Sequence, residues 1–545
     1  MGYSKQALRE IRPLRDVKLH PAISEQKIDP ASRTLTVKLQ NRGGGIGPVR
    51  VLVNGKTAVE DARDAKLKVN PFVDAATITV DLNGSAFIAG TENNIEIVCY
   101  NYDPVTKQGY ISSRDLKLTY KDANPRQMQP PTLYAIIAGV SDYADPELSL
   151  RFAAKDAEDM ATAVRLGAQR LFGTEKVHVK LLSTSGNAGT VMPTKANFRK
   201  AFEDVAKQAK PDDILFIYLS GHGVSLGLNT DTYLYMTQEA RVVTKEVLSN
   251  PDLRSSMSIS SGELIDWITQ TEWVKGEKGI KALKQVMVLD TCAAGAAAEK
   301  FNLAMKKDLS SDQIRAIERL KDRTGFHVLM GSAADAVSYE ASRYGQGLVT
   351  YALLQGMRGA ALREGEFVDV QKLFQYVADE VPKLAQNIGG IQRPVIAAPF
   401  GTSFDVGQLK EDDRKRVPLS LIKPILLRPF FFNADEGVDT LNLIPALKKR
   451  FDEASFATKR GNESFDSMLV YIDEDVFPGA ILPTGRYTID GEQVRVKVIL
   501  RQSDKTIIKE LPEIVGTKKD ITGLIDKIMQ ELMKSLEQIT ANPQK

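Results

Sequence analysis

Leu133-Tyr134-Ala135-Ile136-Ile137-Ala138-Gly139-Val140 is a near-continuous apolar run with no polar face. A strand of that character must be covered on both sides, as strands are inside a parallel sheet. Further strands are predicted at Val177–Leu182, Ile214–Leu219, Gln285–Leu289 and Phe326–Met330. Helical patterns fall between them, at Ala153 to Leu171, Lys195 to Ala209, Gly262 to Gln270 and Ser311 to Lys321. Ser310 and Gln313 match a capping box, and Gly325 lies just past the end of the last of these helices. The alternation predicts a mostly parallel sheet with helices on both faces. Ligands on such sheets bind beyond the carboxyl ends of the strands.

Two of those ends carry chemistry. Tyr218-Leu219-Ser220-Gly221-His222-Gly223 ends one strand and Val288-Leu289-Asp290-Thr291-Cys292 another. The chain has four His and two Cys, and one of each stands at these ends beside small residues. A thiol is mostly protonated at neutral pH and needs a base or a positive field, which His222 can supply. Gly221 and Gly223 let the backbone turn sharply and expose N–H groups, which with the N–H of Cys292 could form an oxyanion hole. A zinc site is disfavoured, because no second Cys or His lies near either position. Cys99, His20, His178 and His327 read as structural.

At 545 residues the chain exceeds one core, and flanking units are expected on both sides. Residues 15–122 carry short β-branched strands and an Asn54-Gly55 hairpin signal, which fits an immunoglobulin-like β-sandwich. Gly43-Gly44-Gly45 reads as a turn, since no Lys-Ser/Thr follows it. The polar, proline-rich Lys121 to Thr132 reads as a linker. Residues 418–540 read as a small α/β domain of unknown role, with strands at Ile425–Phe432 and Met468–Ile472, a helix at Leu441–Phe451, a hairpin at Asp490-Gly491 and a closing amphipathic helix.

The net charge of +3, from 72 basic and 69 acidic residues, gives no reason to expect a nucleic-acid or membrane partner. No apolar run approaches the roughly 18 residues of a transmembrane helix, and Met1 to Asp16 lacks a signal-peptide core. With two cysteines there is no disulfide framework, so a reduced, cytoplasmic compartment is expected.

The segments YLSGHG and VLDTCAAG resemble the catalytic His and Cys motifs of the caspase-like cysteine peptidases (peptidase C14-type), which include caspases, metacaspases, paracaspases and bacterial relatives. The resemblance covers about residues 133–408 and takes in LYAIIAGVSDY, LRFAAKDAEDM and LMGSAADAVSYEASRYGQGLVTYALLQGM. It implies the family's fold, with Cys292 as nucleophile, His222 as proton shuttle, and Gly223 and Cys292 backbone N–H groups as the oxyanion hole. Classical caspases carry Gln-Ala-Cys and hold a substrate aspartate with arginines. Here Asp290 stands two before the Cys, as in metacaspases, which cleave after Arg or Lys. Asp156 resembles another acidic lining residue of that pocket, Ser220 matches a polar wall position, and Asp335 is a further candidate. Carboxylates at a pocket floor favour a cationic side chain, bidentately for Arg.

The resemblance therefore implies a cysteine endopeptidase acting on peptides or proteins after basic residues, with no organic cofactor and with the flanking domains binding an activating partner or positioning substrate. Some metacaspases are activated by calcium, but no acidic cluster here locates such a site. The Lys- and Arg-rich stretch Lys300, Lys306, Lys307, Arg315, Arg319, Lys321, Arg323 corresponds to a junction that caspases cut during activation. Two alternatives are a catalytically silent scaffold and a peptidase cutting after Asp. From His222 to Cys292 the chain runs 70 residues (292 − 222). Caspases have about 50, so Leu248–Ser261 and the helix near Trp267 form either a loop over the site or an insertion.

Overall fold

The computed structural model describes residues 18–82, 92–104, 111–114, 116–121, 130–226, 232–241, 250–275, 277–292, 324–331, 343–388, 391–399, 403–455, 458–460, 463–465, 469–477, 479–502 and 505–541, with single residues at 87, 109, 318 and 321. Asp335 and most of the basic stretch from Lys300 to Arg323 lie outside the described residues, as does most of the Ser311–Lys321 helix.

The centre of the molecule is a twisted sheet. Its elements are β1 (Leu133–Gly139), α1 (Ala153–Phe172), β2 (Val177–Ser183), α2 (Lys195–Ala206), β3 (Ile214–Leu226), β4 (Thr232–Met236), β5 (Ser258–Ser260), α3 (Ser261–Thr269), β6 (Lys284–Cys292), β7 (His327–Met330), α4 (Leu348–Gln355), α5 (Val370–Gln386) and β8 (Val395–Ala397). The strands lie in the order β2-β1-β3-β6-β7-β8. All neighbours are parallel except β8, which returns antiparallel to β7.

The alternating residues of each strand build two cores. Ile214, Phe216 and Tyr218 of β3, with Val286 and Val288 of β6, face α1, α4 and α5. Leu215, Ile217 and Leu219, with Met287 and Leu289, face α2 and α3. This is the three-layer arrangement that apolar runs without a polar face require.

Strand β3 runs further than its apolar stretch suggests. Past Ser220 it leaves β1 and takes up antiparallel pairing with β4, from Gly223↔Tyr235 to Leu226↔Thr232. The stretch between β3 and β6 widens the sheet: β4 and β5 pair antiparallel, and Trp267 of α3 is buried in the second core.

The N-terminal strands form two antiparallel sheets. One holds Ala22–Asp29, Thr34–Gln40 and Ala75–Asp81. The other holds Lys56–Val59, Val49–Val53, Glu92–Cys99 and Leu116–Lys121. Leu35, Val37 and Leu39 meet Val51, Ile95 and Ile97 between them. Asn54 and Gly55 both take positive φ, 52° and 81°, as the tight hairpin demands. Cys99 is buried there, and burial pushes its thiol up to about 12.

The C-terminal residues form a seven-stranded mixed sheet, against which the helices Leu443–Ser455 and Ile521–Ala541 pack. The expected single strand Ile425–Phe432 is two short ones, Ile425–Leu427 and Phe430–Asn433. Pro429 between them has no N–H to give to a ladder. Ile425, Leu427, Val470 and Ala480 belong to the same hydrophobic core as residues of α1 and α5, so the C-terminal part shares a core with the central domain.

Candidate active site

Strands β3 and β6 keep one parallel register from Ile214↔Lys284 to His222↔Cys292. The backbone therefore sets the imidazole-bearing and thiol-bearing residues side by side at the carboxyl edge of the sheet, on strands spaced about 4.8 Å apart. The side chain of Cys292 lies outside the described residues. In the same register Ser220 stands beside Asp290, with Gly139 of β1 on its other side.

His222 is held by contacts that determine its tautomer. The ring is buried and stacks obliquely on Tyr143, with centroids 5.0 Å apart. Its Nε2 lies 2.7 Å from the carbonyl oxygen of Leu148. A carbonyl only accepts, so Nε2 carries the hydrogen and Nδ1 is left with a lone pair. Nδ1 is buried and has no hydrogen-bond partner among the described residues. Burial lowers the pKa of His222 below the ordinary imidazole value, and the bond to Leu148 offsets part of that. The ring is thus neutral at pH 7, with a free basic nitrogen.

Gly221 makes this orientation possible. Tyr218 and Leu219 sit in opposite cores, as alternation requires, yet the His222 ring packs on Tyr143 and Leu148 of the second core. Gly221 has φ +149°, and a Cβ there would lie 2.8 Å from the Tyr143 hydroxyl. That hydroxyl in turn accepts the His222 N–H at 2.8 Å. Gly223 is required for room alone, since a Cβ would stand 2.1 Å from the Tyr233 hydroxyl.

Beside this pair lie two buried acidic side chains. Asp156 of α1 and Asp290 of β6 are only 2% and 6% exposed. Helix α1 reaches the sheet edge because Gly139 lets it approach; a Cβ there would be 2.1 Å from the Ala153 carbonyl oxygen. Asp156 Oδ2 accepts the Gly347 N–H at 3.0 Å. Asp290 Oδ2 accepts the Thr350 N–H at 3.2 Å and the Thr350 hydroxyl. A Cβ on Gly347 would lie 2.9 Å from an oxygen of each carboxylate. Asp156 Oδ1 has no hydrogen-bond partner among the described residues, although it is buried.

Burial raises both carboxyls above the ordinary range, and for Asp156 the charge of Asp290 adds to it. Two buried carboxyls thus lie close together, and one of their oxygens has no hydrogen-bond partner among the described residues.

Residues 132–403 match the caspase domain of the C14 peptidases. Through this domain the chain belongs to the caspase-like family. Among curated proteins it is 25% identical over 309 residues to metacaspase-1A of Aspergillus oryzae, covering 50% of this chain and 70% of that one. It is 29% identical over 96 residues to metacaspase-6 of Arabidopsis thaliana, covering 18% of this chain and 24% of that one. A solved Geobacter sulfurreducens protein aligns over 52% of this chain and 96% of its own at 15% identity, with a TM-score of 0.28.

Several residues of the caspase-like site escape a reading of the sequence. Leu148 contributes only a carbonyl, which every residue has. Tyr143, Thr350 and Gly347 are short-range fixtures contributed by segments distant in sequence from His222 and Asp290. No helix among the described residues is long and apolar enough to cross a membrane.

Proposed function

We propose that this protein is a cysteine endopeptidase that cleaves after Arg or Lys. Cys292 attacks the scissile carbonyl; its proton passes to His222 Nδ1 and from there to the leaving amine, and water hydrolyses the thioester. The N–H groups of Gly223 and Cys292 stabilise the oxyanion. Asp156 and Asp290, with Ser220 at the wall and Asp335 as a further carboxylate, receive the basic side chain.

The observation that carries the specificity is a pair of buried carboxylates side by side, neither in an ion pair among the described residues, one with a free oxygen. A recess for a substrate aspartate would need basic residues in their place. Acyl transfer through a thiol needs no organic cofactor. The β-rich N-terminal part, which we regard as immunoglobulin-like, and the C-terminal α/β part serve to bind an activating partner or position substrate, in a cytoplasmic protein.

The test is purified full-length chain with fluorogenic Arg-, Lys- and Asp-ended peptides, with and without calcium, beside Cys292→Ala. Release from Arg and Lys peptides that disappears in the variant is expected. No release from any of them, under either condition, would favour the scaffold reading; release from Asp peptides alone would overturn the specificity. Self-cleavage in the basic stretch after Cys292 is part of the proposal. It predicts fragments on a denaturing gel of the wild type that Cys292→Ala lacks.

A further inference from the structure

Lys155 precedes Asp156 in the first turn of α1, and its charge acts on that carboxylate. A lysine stem is flexible and reaches about 6 Å, so this ammonium could fold onto Asp156 and fill the recess from within. It is held elsewhere. Its Nζ lies 2.5 Å from Asp159 Oδ2, one turn along the helix, and 3.1 Å from Ser420 Oγ. Asp159 Oδ2 also accepts from Gln346 Nε2 at 2.6 Å. Gln346, fully buried, accepts the Ser420 N–H at 3.2 Å, and the Ser420 hydroxyl donates to the Gly345 carbonyl at 3.3 Å. The next residue is Gly347, whose N–H holds Asp156. One small network thus fixes both the turn that orients Asp156 and the cation that could neutralise it. Ser420 belongs to the connector beyond the caspase match, which ends at residue 403.

We infer that Asp159 and Ser420 are positioning residues that hold the Lys155 ammonium away from Asp156 and so keep the acidic recess open to a cationic side chain. The inference rests on the basic-residue reading above. Losing either partner frees Lys155, whose charge already acts on the adjoining Asp156, where Oδ1 has no hydrogen-bond partner among the described residues. An ion pair formed inside the protein is stronger than one formed in water, so the released lysine competes with substrate.

The experiment uses full-length Cys292→Ala protein and p-aminobenzamidine, an amidinium whose fluorescence reports binding without turnover. Asp159→Asn retains the hydrogen-bond acceptor for Gln346 and removes the charge that holds Lys155. It should weaken binding about tenfold, and Ser420→Ala about threefold, as expected for charge-assisted contacts. Adding Lys155→Met to Asp159→Asn should restore the parent affinity, a rescue that a merely structural role of Asp159 would not give. Equal binding by the Cys292→Ala parent with and without Asp159→Asn would overturn the inference while leaving the basic-residue reading standing, as would weak binding that Lys155→Met does not rescue. No binding by the parent protein at any concentration would remove both.

Discussion

At the scale of the residue, the two halves of the site titrate in opposite directions from their ordinary values. His222 is lowered, so its basic form persists below the usual imidazole range. Asp156 and Asp290 are raised, so as pH falls they lose charge before ordinary carboxylates do. For an Arg peptide, KM should therefore begin to rise on acidification at a higher pH than ordinary carboxylates would dictate; a KM that stays flat down to the ordinary carboxylate range would contradict the assignment. The same raised carboxyls cost folding stability at neutral pH, because the folded state binds protons more readily than the unfolded one there. Stability of the empty protein should grow as pH falls into that raised range. Gly347→Ala tests the recess directly. Its methyl would meet both carboxylates at 2.9 Å, and KM for Arg peptides should rise about tenfold or more with little change in kcat. Asp290 and Ser220 were legible in the sequence because they adjoin the motif residues on the same strands. Gly347 and Thr350 were not, since a glycine without positive φ and a lone threonine leave no periodic trace.

At the scale of the element, the apolar runs announced their strands reliably, because burial on both faces leaves no room for polar residues. What they could not announce is where a strand changes partner. The apolar stretch of β3 ends at Leu219, yet the strand continues to Leu226 by exchanging β1 for β4. The polar segment SGHG stays extended because β6 pairs with it through His222↔Cys292 and β4 takes over at Gly223. Helix α1 depends on a similar long-range fit. Gly139 admits its first turn, and Gly139→Ala would drive a methyl into the Ala153 carbonyl and the Ala157 side chain. The expected cost is about 1–3 kcal/mol, read as a lowered Tm, together with reduced affinity for Arg peptides because Asp156 travels with the helix. A variant with lowered stability but undisturbed KM would separate the helix seat from the recess.

At the scale of the whole molecule, the N-terminal hairpin meets the central domain through a buried lysine. Lys56 donates to the carbonyl oxygen of Ile280, while the Gly55 turn lies against Gly325 and Pro399. It forms no ion pair among the described residues, and burial pushes it down to about 7. Between that value and the ordinary 10.5 the unfolded chain binds a proton that the folded one does not, so stability increases with pH across this window. From pH 7 to 9 the wild type should gain roughly 2 kcal/mol relative to Lys56→Met, measured by denaturant unfolding. Equal slopes for the two proteins would show that the amine is not sequestered. The composition could suggest separate units, but it held no sign of this joint, since Lys56 looks like any surface lysine beside a hairpin turn.

The strands Ile425–Leu427 and Val470–Ile472 have a different consequence. Their side chains add to the hydrophobic core that holds α1 and α5. A nick anywhere between Val417 and Lys423 would therefore not set a tail free. The two fragments would co-elute in native buffer and part only in denaturant, and a shortened chain stopping at the end of the caspase match would emerge from the ribosome with an oily floor open to water.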